Sequence, residues 1–213
     1  MTSGTKTPRA ERRRWLALPL LLAGLGCAPA GAQGAAFDLA ALMRRMAGRR
    51  GGEARFTEER QVGGLDGPLH SSGTLSFAAP DRFARHTLQP VRESMEVQGR
   101  TLHLRRGGRS RQMQMDSVPE LAALLDAMRA TLTGDEALLT RHFNTTLSGT
   151  EARWVLQLVP RDDRLARQVQ QIELAGLSAD VRSIELRLAG GDRSLMLIEP
   201  LVESAAAGAP APR

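Results

Sequence analysis

Cysteine occurs once in this 213-residue chain, as Cys27, lysine once, as Lys6, and tyrosine not at all; five phenylalanines and two tryptophans are the only aromatics. Each scarcity closes off a class of protein. One cysteine excludes an intramolecular disulfide, so stability must come from packing. The four histidines, His70, His86, His103 and His142, are scattered, and none stands at the HxxxH or HxH spacing that builds a metal site. There is no GxSxG elbow, no phosphate loop and, once a leader containing Cys27 is removed, no thiol nucleophile. The best carboxylate pair, Asp162-Asp163, follows Pro160 and is flanked by Arg161 and Arg164. It reads as a turn with local ion pairs, in place of an acid–base dyad. The expectation is a protein that is not an enzyme and takes no cofactor or metal.

The formal charge of +6 suggests nucleic acid, but its distribution argues otherwise. Five of the 29 basic residues and one of the 23 acidic residues lie in the first 32 positions, which leaves 24 against 22 for the remainder. The remaining arginines are interleaved with acids and lack the stacking aromatics that single-strand binders use. They read as a solvated polar face, and no nucleic-acid partner is expected.

Long apolar runs are also missing, with one exception. Lys6, Arg9, Arg12, Arg13 and Arg14 precede the apolar stretch Trp15 to Leu25, and small-residue sites follow at Ala28-Pro29-Ala30 and Ala30-Gly31-Ala32. This is the order of an export signal. The stretch is short for a bilayer span, contains Pro19, and has no charged flank after it. Residues 1–32 are therefore expected to be a signal peptide, with cleavage after Ala32 removing Cys27. In the rival reading Cys27 is the lipidated first residue of a lipoprotein, although Gly24 stands where such signals usually carry an aliphatic residue.

What the mature chain does have is strand after strand. Leu39, Leu42, Met43 and Met46 first mark one amphipathic helix, with Asp38 as N-cap and Gly48 as a stop. Ala54, Phe56, Glu58, Arg60 and Val62 then share one face of a strand that is apolar at its ends and charged between. Half-apolar segments follow, cut by Pro80, Pro90, Gly99 and Gly107-Gly108, the last with Arg111, Met113 and Met115 on one face. Leu121, Leu124, Leu125, Met128 and Leu132 repeat at helical spacing behind a Ser117/Glu120 capping box, and Thr133 with Glu136 reads as a second box before Leu138, Leu139 and Phe143. A second run of strands carries Trp154, Leu156 and Leu158, later Ile184, Leu186 and Leu188, and ends near Glu199. Residues 203–213 read as a disordered tail. The predicted class is α+β, mostly antiparallel: about ten strands in one curved, incomplete β-barrel, with helices covering its concave face.

Seven methionines, Met43, Met46, Met95, Met113, Met115, Met128 and Met196, fall on inward faces among many leucines. Such linings adapt to ligands of variable shape.

The meander from Gly73 to Leu104 resembles the LolA family of periplasmic lipoprotein carriers. The likeness rests on Phe56-Thr57-Glu58-Glu59, Gly73-Thr74-Leu75 with Phe77, Pro80-x-x-Phe83, Pro90 and Gly99-x-x-Leu102, in that order, and extends in outline from about Phe37 to Leu201. The resemblance implies a lipid-binding domain over residues 33–202, located in the periplasm. It also implies a monomer without cofactor that holds the acyl chains of a lipoprotein or other lipid-linked cargo, takes them from an inner-membrane donor complex, and passes them to an outer-membrane acceptor. The lining it implies comprises Phe56, Leu75, Phe77, Phe83, Met95, Val97, Leu102 and Leu104, then Met113, Met115, Leu121, Leu125, Met128, Trp154 and Leu156. The arginine that family carriers place directly before the second-strand proline, where it bonds the lid, is Ala79 here; Arg82 and Arg85 stand nearest as replacements. Two other readings are a lipid-responsive sensor or adaptor acting by protein contact, and a Cys27-anchored acceptor of the LolB type.

Overall fold

The Asp38 carboxylate accepts from the Ala41 N–H at 2.8 Å, so the first helix, α1 (Leu39–Ala47), begins where the sequence places its cap and buries Leu42, Met43 and Met46 along one face. The computed structural model describes residues 37–201, apart from residue 118 and the side chains of residues 116 and 119–121. The expected export signal, Cys27 and the tail from residue 203 lie outside the described residues. No described helix is long and apolar enough to cross a membrane.

Six antiparallel strands follow α1: β1 (Gly51–Gln61), β2 (Leu69–Ala78), β3 (Arg82–Gln89), β4 (Glu93–Gln98), β5 (Thr101–Arg106) and β6 (Arg109–Gln114). Gly99 and the Gly107-Gly108 pair take positive φ at the turns that sequence reading assigns to them. A 3₁₀ turn at Met115–Ser117 leads into α2 (Pro119–Thr133) and α3 (Glu136–His142). The second run comprises β7 (Phe143–Gly149), β8 (Trp154–Pro160), the one-turn helix α4 (Asp163–Ala166), β9 (Val169–Leu177), β10 (Asp180–Leu188) and β11 (Arg193–Pro200).

All eleven strands form one sheet in the order β6-β5-β4-β3-β2-β1-β11-β10-β9-β8-β7. The first meander runs outward from the centre to one edge. The second starts at the other edge and runs back, setting β11 beside β1, with Phe56 opposite Ile198. The segment joining the two edge strands must cross the sheet, and it does so over the concave face as α2 and α3. The result is an open, curved antiparallel sheet covered by helices and not closed into a barrel, the expected class with eleven strands in place of about ten.

Three local expectations change. Thr133 is the last residue of α2, its hydroxyl donating to the Arg129 carbonyl at 2.8 Å, and the cap of α3 is Asp135, which accepts from the Leu138 N–H at 2.9 Å. Asp162 caps α4, accepting from the N–H groups of Arg164 and Leu165, where the sequence suggests a turn held by ion pairs. Met115 belongs to the 3₁₀ turn instead of continuing β6, and is 1 % exposed.

The helices pack against the two wings of the sheet, and α2 stands off its centre. On one side α1, α2 and α3 pack on β7–β10 through Leu42, Met46, Ala127, Leu139, Trp154 and Leu156. On the other, Met115, Ala122 and Leu125 pack on Val97 of β4 and Leu102 of β5. Helix α2 serves both cores because small and aliphatic residues run around most of its circumference, the pattern of a helix with little solvated face.

Candidate functional site

Between the two cores lies a cavity of about 620 Å³, within the range of about 300–1,000 Å³ usual for small-molecule sites. Its roof is α2, through Leu124, Ala127, Met128, Thr131 and Leu132. Its floor is the middle of the sheet. Strand alternation aims Ala54, Leu75, Met196 and Ile198 inward, and β9 and β10 add Ile172, Leu174, Ile184, Leu186 and Leu188.

Of the residues expected to line a lipid site, Leu75, Phe77, Phe83, Met95 and Met128 border this cavity. Val97 and Leu125 border a separate notch of about 20 Å³ between β3, β4 and α2. Phe56, 2 % exposed, sits beneath Arg85, whose Cζ lies 4.7 Å from the ring centroid. Leu102 and Met115 belong to the core under β4 and β5, with Leu104 packed against them, and Met113 is half-buried on β6. Trp154 and Leu156 are fully buried in the other core; the indole N–H donates to the Ser178 carbonyl at 2.9 Å, and Gly176 makes room for its ring. The side chain of Leu121 lies outside the described residues.

The expected lining omits the contribution of β9, β10 and β11. Its signal is present as the alternation Ile184, Leu186, Leu188 and the isolated Met196. The sequence does not show which inward residues α2 covers and which it leaves facing open space.

The cavity floor also carries charge. Glu58 is 6 % exposed on β1 between Met196 and Ser71 of the neighbouring strands. One carboxylate oxygen accepts from Ser194 at 2.5 Å and from Arg60 at 3.2 Å, and the other accepts from Ser71 at 2.9 Å and closely from Arg85. Burial acts to raise the Glu58 pKa. The Ser194 hydrogen bond, the charge and hydrogen bond of Arg85, and the Ser71 hydroxyl outweigh it and hold the group at about 2, against an ordinary value of 4.5. Arg85 is thus committed to the sheet. Arg82 is exposed beside the small notch. Neither bonds the covering helix, where sequence reading looks for a replacement of the family's lid arginine. The polar ties run the other way: Arg129 of α2 donates to the Gly99 carbonyl at 2.8 Å, and Asp126 of α2 faces Arg100 at 3.5 Å.

Among the described residues no group of three or more His, Cys, Asp and Glu is placed to hold a metal ion.

The model of the family described as outer membrane lipoprotein carrier protein LolA-like matches residues 30–212. The chain belongs to that family. No curated protein matches this LolA-like chain. Similar solved structures include a LolA-superfamily protein of Nitrosomonas europaea, 8 % identical, with 74 % of this chain and 90 % of that one covered and a TM-score of 0.39. A second is the lipoprotein LppX of Mycobacterium tuberculosis, at 13 % identity, 76 % and 93 % coverage and a TM-score of 0.40. A third is the MucA/MucB complex of Pseudomonas aeruginosa, at 18 % identity and a TM-score of 0.45, where 80 % of this LolA-like chain is covered but only 59 % of the other.

Proposed function

We propose that this protein is a periplasmic carrier that shelters acyl chains of a lipoprotein or lipid-linked product in the cavity between α2 and the sheet and moves them towards the outer membrane. The observation that carries the reading is the cavity of about 620 Å³ with aliphatic and methionine walls. At about 0.8 kcal/mol for each CH₂ removed from water, ten acyl carbons supply roughly 8 kcal/mol, which corresponds to micromolar retention before the costs of binding. Release requires a partner that competes for the cargo or parts α2 from the sheet. The matching family description supports the carrier role, and a donor at the inner membrane and an acceptor at the outer membrane belong to the same proposal.

The test is mass spectrometry of what co-purifies with the chain isolated from its own cells without detergent. Acylated molecules in near-stoichiometric amount are expected. A protein that emerges lipid-free and fails to bind a fluorescent fatty-acid probe would overturn the reading.

A further inference from the structure

An acyl cavity works with plain apolar walls, and this one also has charged residues along its border. Four arginines, Arg49, Arg60, Arg85 and Arg193, and three carboxylates, Glu53, Glu58 and Asp192, border it. Most have partners that neutralise or occupy them. Arg49 pairs with Asp180 at 2.8 Å, Arg193 pairs with Glu185 at 2.7 Å, and Asp192 accepts from the Gly63 N–H at 2.9 Å. Asp180 and Glu185 each take a second arginine as well, Arg182 and Arg187, and Glu58 likewise takes two, Arg60 and Arg85, but of these three carboxylates only Glu58 itself borders the cavity. Glu58, Arg60 and Arg85 together carry one positive charge in excess, at the border of an apolar chamber. Their hydrogen bonding is also incomplete: Arg85 donates to Glu58 and Ser71 from Nη2, and its Nε is buried with no acceptor. Arg60 lies two residues from Glu58 on the same strand face, with its side chain 49 % exposed, so it can turn towards an incoming anion without uncovering the pair beneath.

Resting on the carrier reading above, we infer that the cavity selects amphiphiles with a single anionic head, a carboxylate or phosphate joined to an acyl chain, and that Arg60 holds the head beside the Arg85–Glu58 pair. The tail then runs down the floor past Ala54, Met196 and Ile198 towards Pro200, all of which border the cavity. Charge-assisted bonds from guanidinium to a carboxylate or phosphate supply the preference, and the length of aliphatic floor supplies the bulk of the affinity.

The experiment displaces a fluorescent acyl probe from the full chain, stripped of lipid, with palmitate, with its uncharged counterpart hexadecanol, with a long-chain alkyl phosphate and with inorganic phosphate. Palmitate and the alkyl phosphate are expected to bind about tenfold more tightly than hexadecanol, and inorganic phosphate alone not to compete. Arg60→Gln is expected to bring palmitate down to the level of hexadecanol while leaving hexadecanol unchanged, and Arg60→Lys to restore part of the difference. Equal binding of palmitate and hexadecanol by the wild-type chain overturns the selectivity while leaving the cavity reading standing. Displacement by none of the acyl compounds overturns the cavity reading itself. Displacement by inorganic phosphate alone shows an anion site unrelated to lipid and also overturns the proposal.

Discussion

Glu58 occupies the one position on β1 where a charged residue is closed off from water, and Ser194, Arg85 and Ser71 keep it ionised there. Because its folded pKa lies below its unfolded value, the unfolded chain binds the proton more readily between them. The stabilisation is complete above about pH 4.5 and is lost as pH falls towards about 2, a swing of about 3 kcal/mol if the group acts alone. Urea unfolding from pH 6 downward should show this decline. In Glu58→Gln the curve should be flatter, and the variant should be less stable at neutral pH because Arg85 then faces a neutral amide in a poorly solvated site. An unchanged pH profile in the variant would show that other carboxylates carry the acid sensitivity. The cluster was half legible from sequence. Glu58 and Arg60 visibly interrupt an apolar strand face, but the partners that make the interruption tolerable, Ser71, Arg85 and Ser194, come from three other strands.

Among the elements, the joint between α2 and α3 is packed tightly against α1. Gly134 holds φ at +71°, and a Cβ there would lie 2.1 Å from the Met43 carbonyl oxygen and 2.8 Å from the Ala47 Cβ of α1. Gly134→Ala is expected to cost about 2–4 kcal/mol, from the left-handed backbone and the overlap together, and to lower the melting temperature in a calorimetric scan. A neutral effect would mean that α1 yields freely at that contact. Elements of this kind mark the limit of what periodicity reveals. The strands were readable because Leu75 and Phe77, or Leu156 and Leu158, alternate with polar residues, and α1 because Leu42, Met43 and Met46 recur on one face. The cap of α3 was misplaced because Thr133 and Asp135 both precede Glu136 at plausible distances, and only the path of α2 decides between them. Nor does periodicity separate cavity wall from packed core: Leu156 and Leu158 point the same way on one strand, yet only Leu158 borders the cavity. That distinction depends on where α2 lies overhead, which no local pattern encodes.

At the scale of the whole molecule, the two meanders meet at one seam, where β1 pairs with β11 from Ala54 opposite Pro200 to Gln61 opposite Arg193. The seam runs through the cavity floor, so neither half of the chain owns a complete chamber. A chain ending at Asp192 is expected to show no cooperative unfolding transition and no lipid retention, because β1 and β10 would each present an unpaired edge at the centre of the sheet. A cooperative transition in that truncated chain would instead mark the halves as independent folding units.

The same seam sets a timetable. Contacts between the first and last strands close the longest loop in the fold, so they are expected to form after each meander has gathered its own neighbours. On the carrier reading proposed above, a chain exported from its N-terminus onward would build the β1–β6 wing first and complete the chamber floor only when residues 193–200 arrive. The strand order thus makes completion of the chamber depend on the last strand, and on that reading a chain still in transit would be empty.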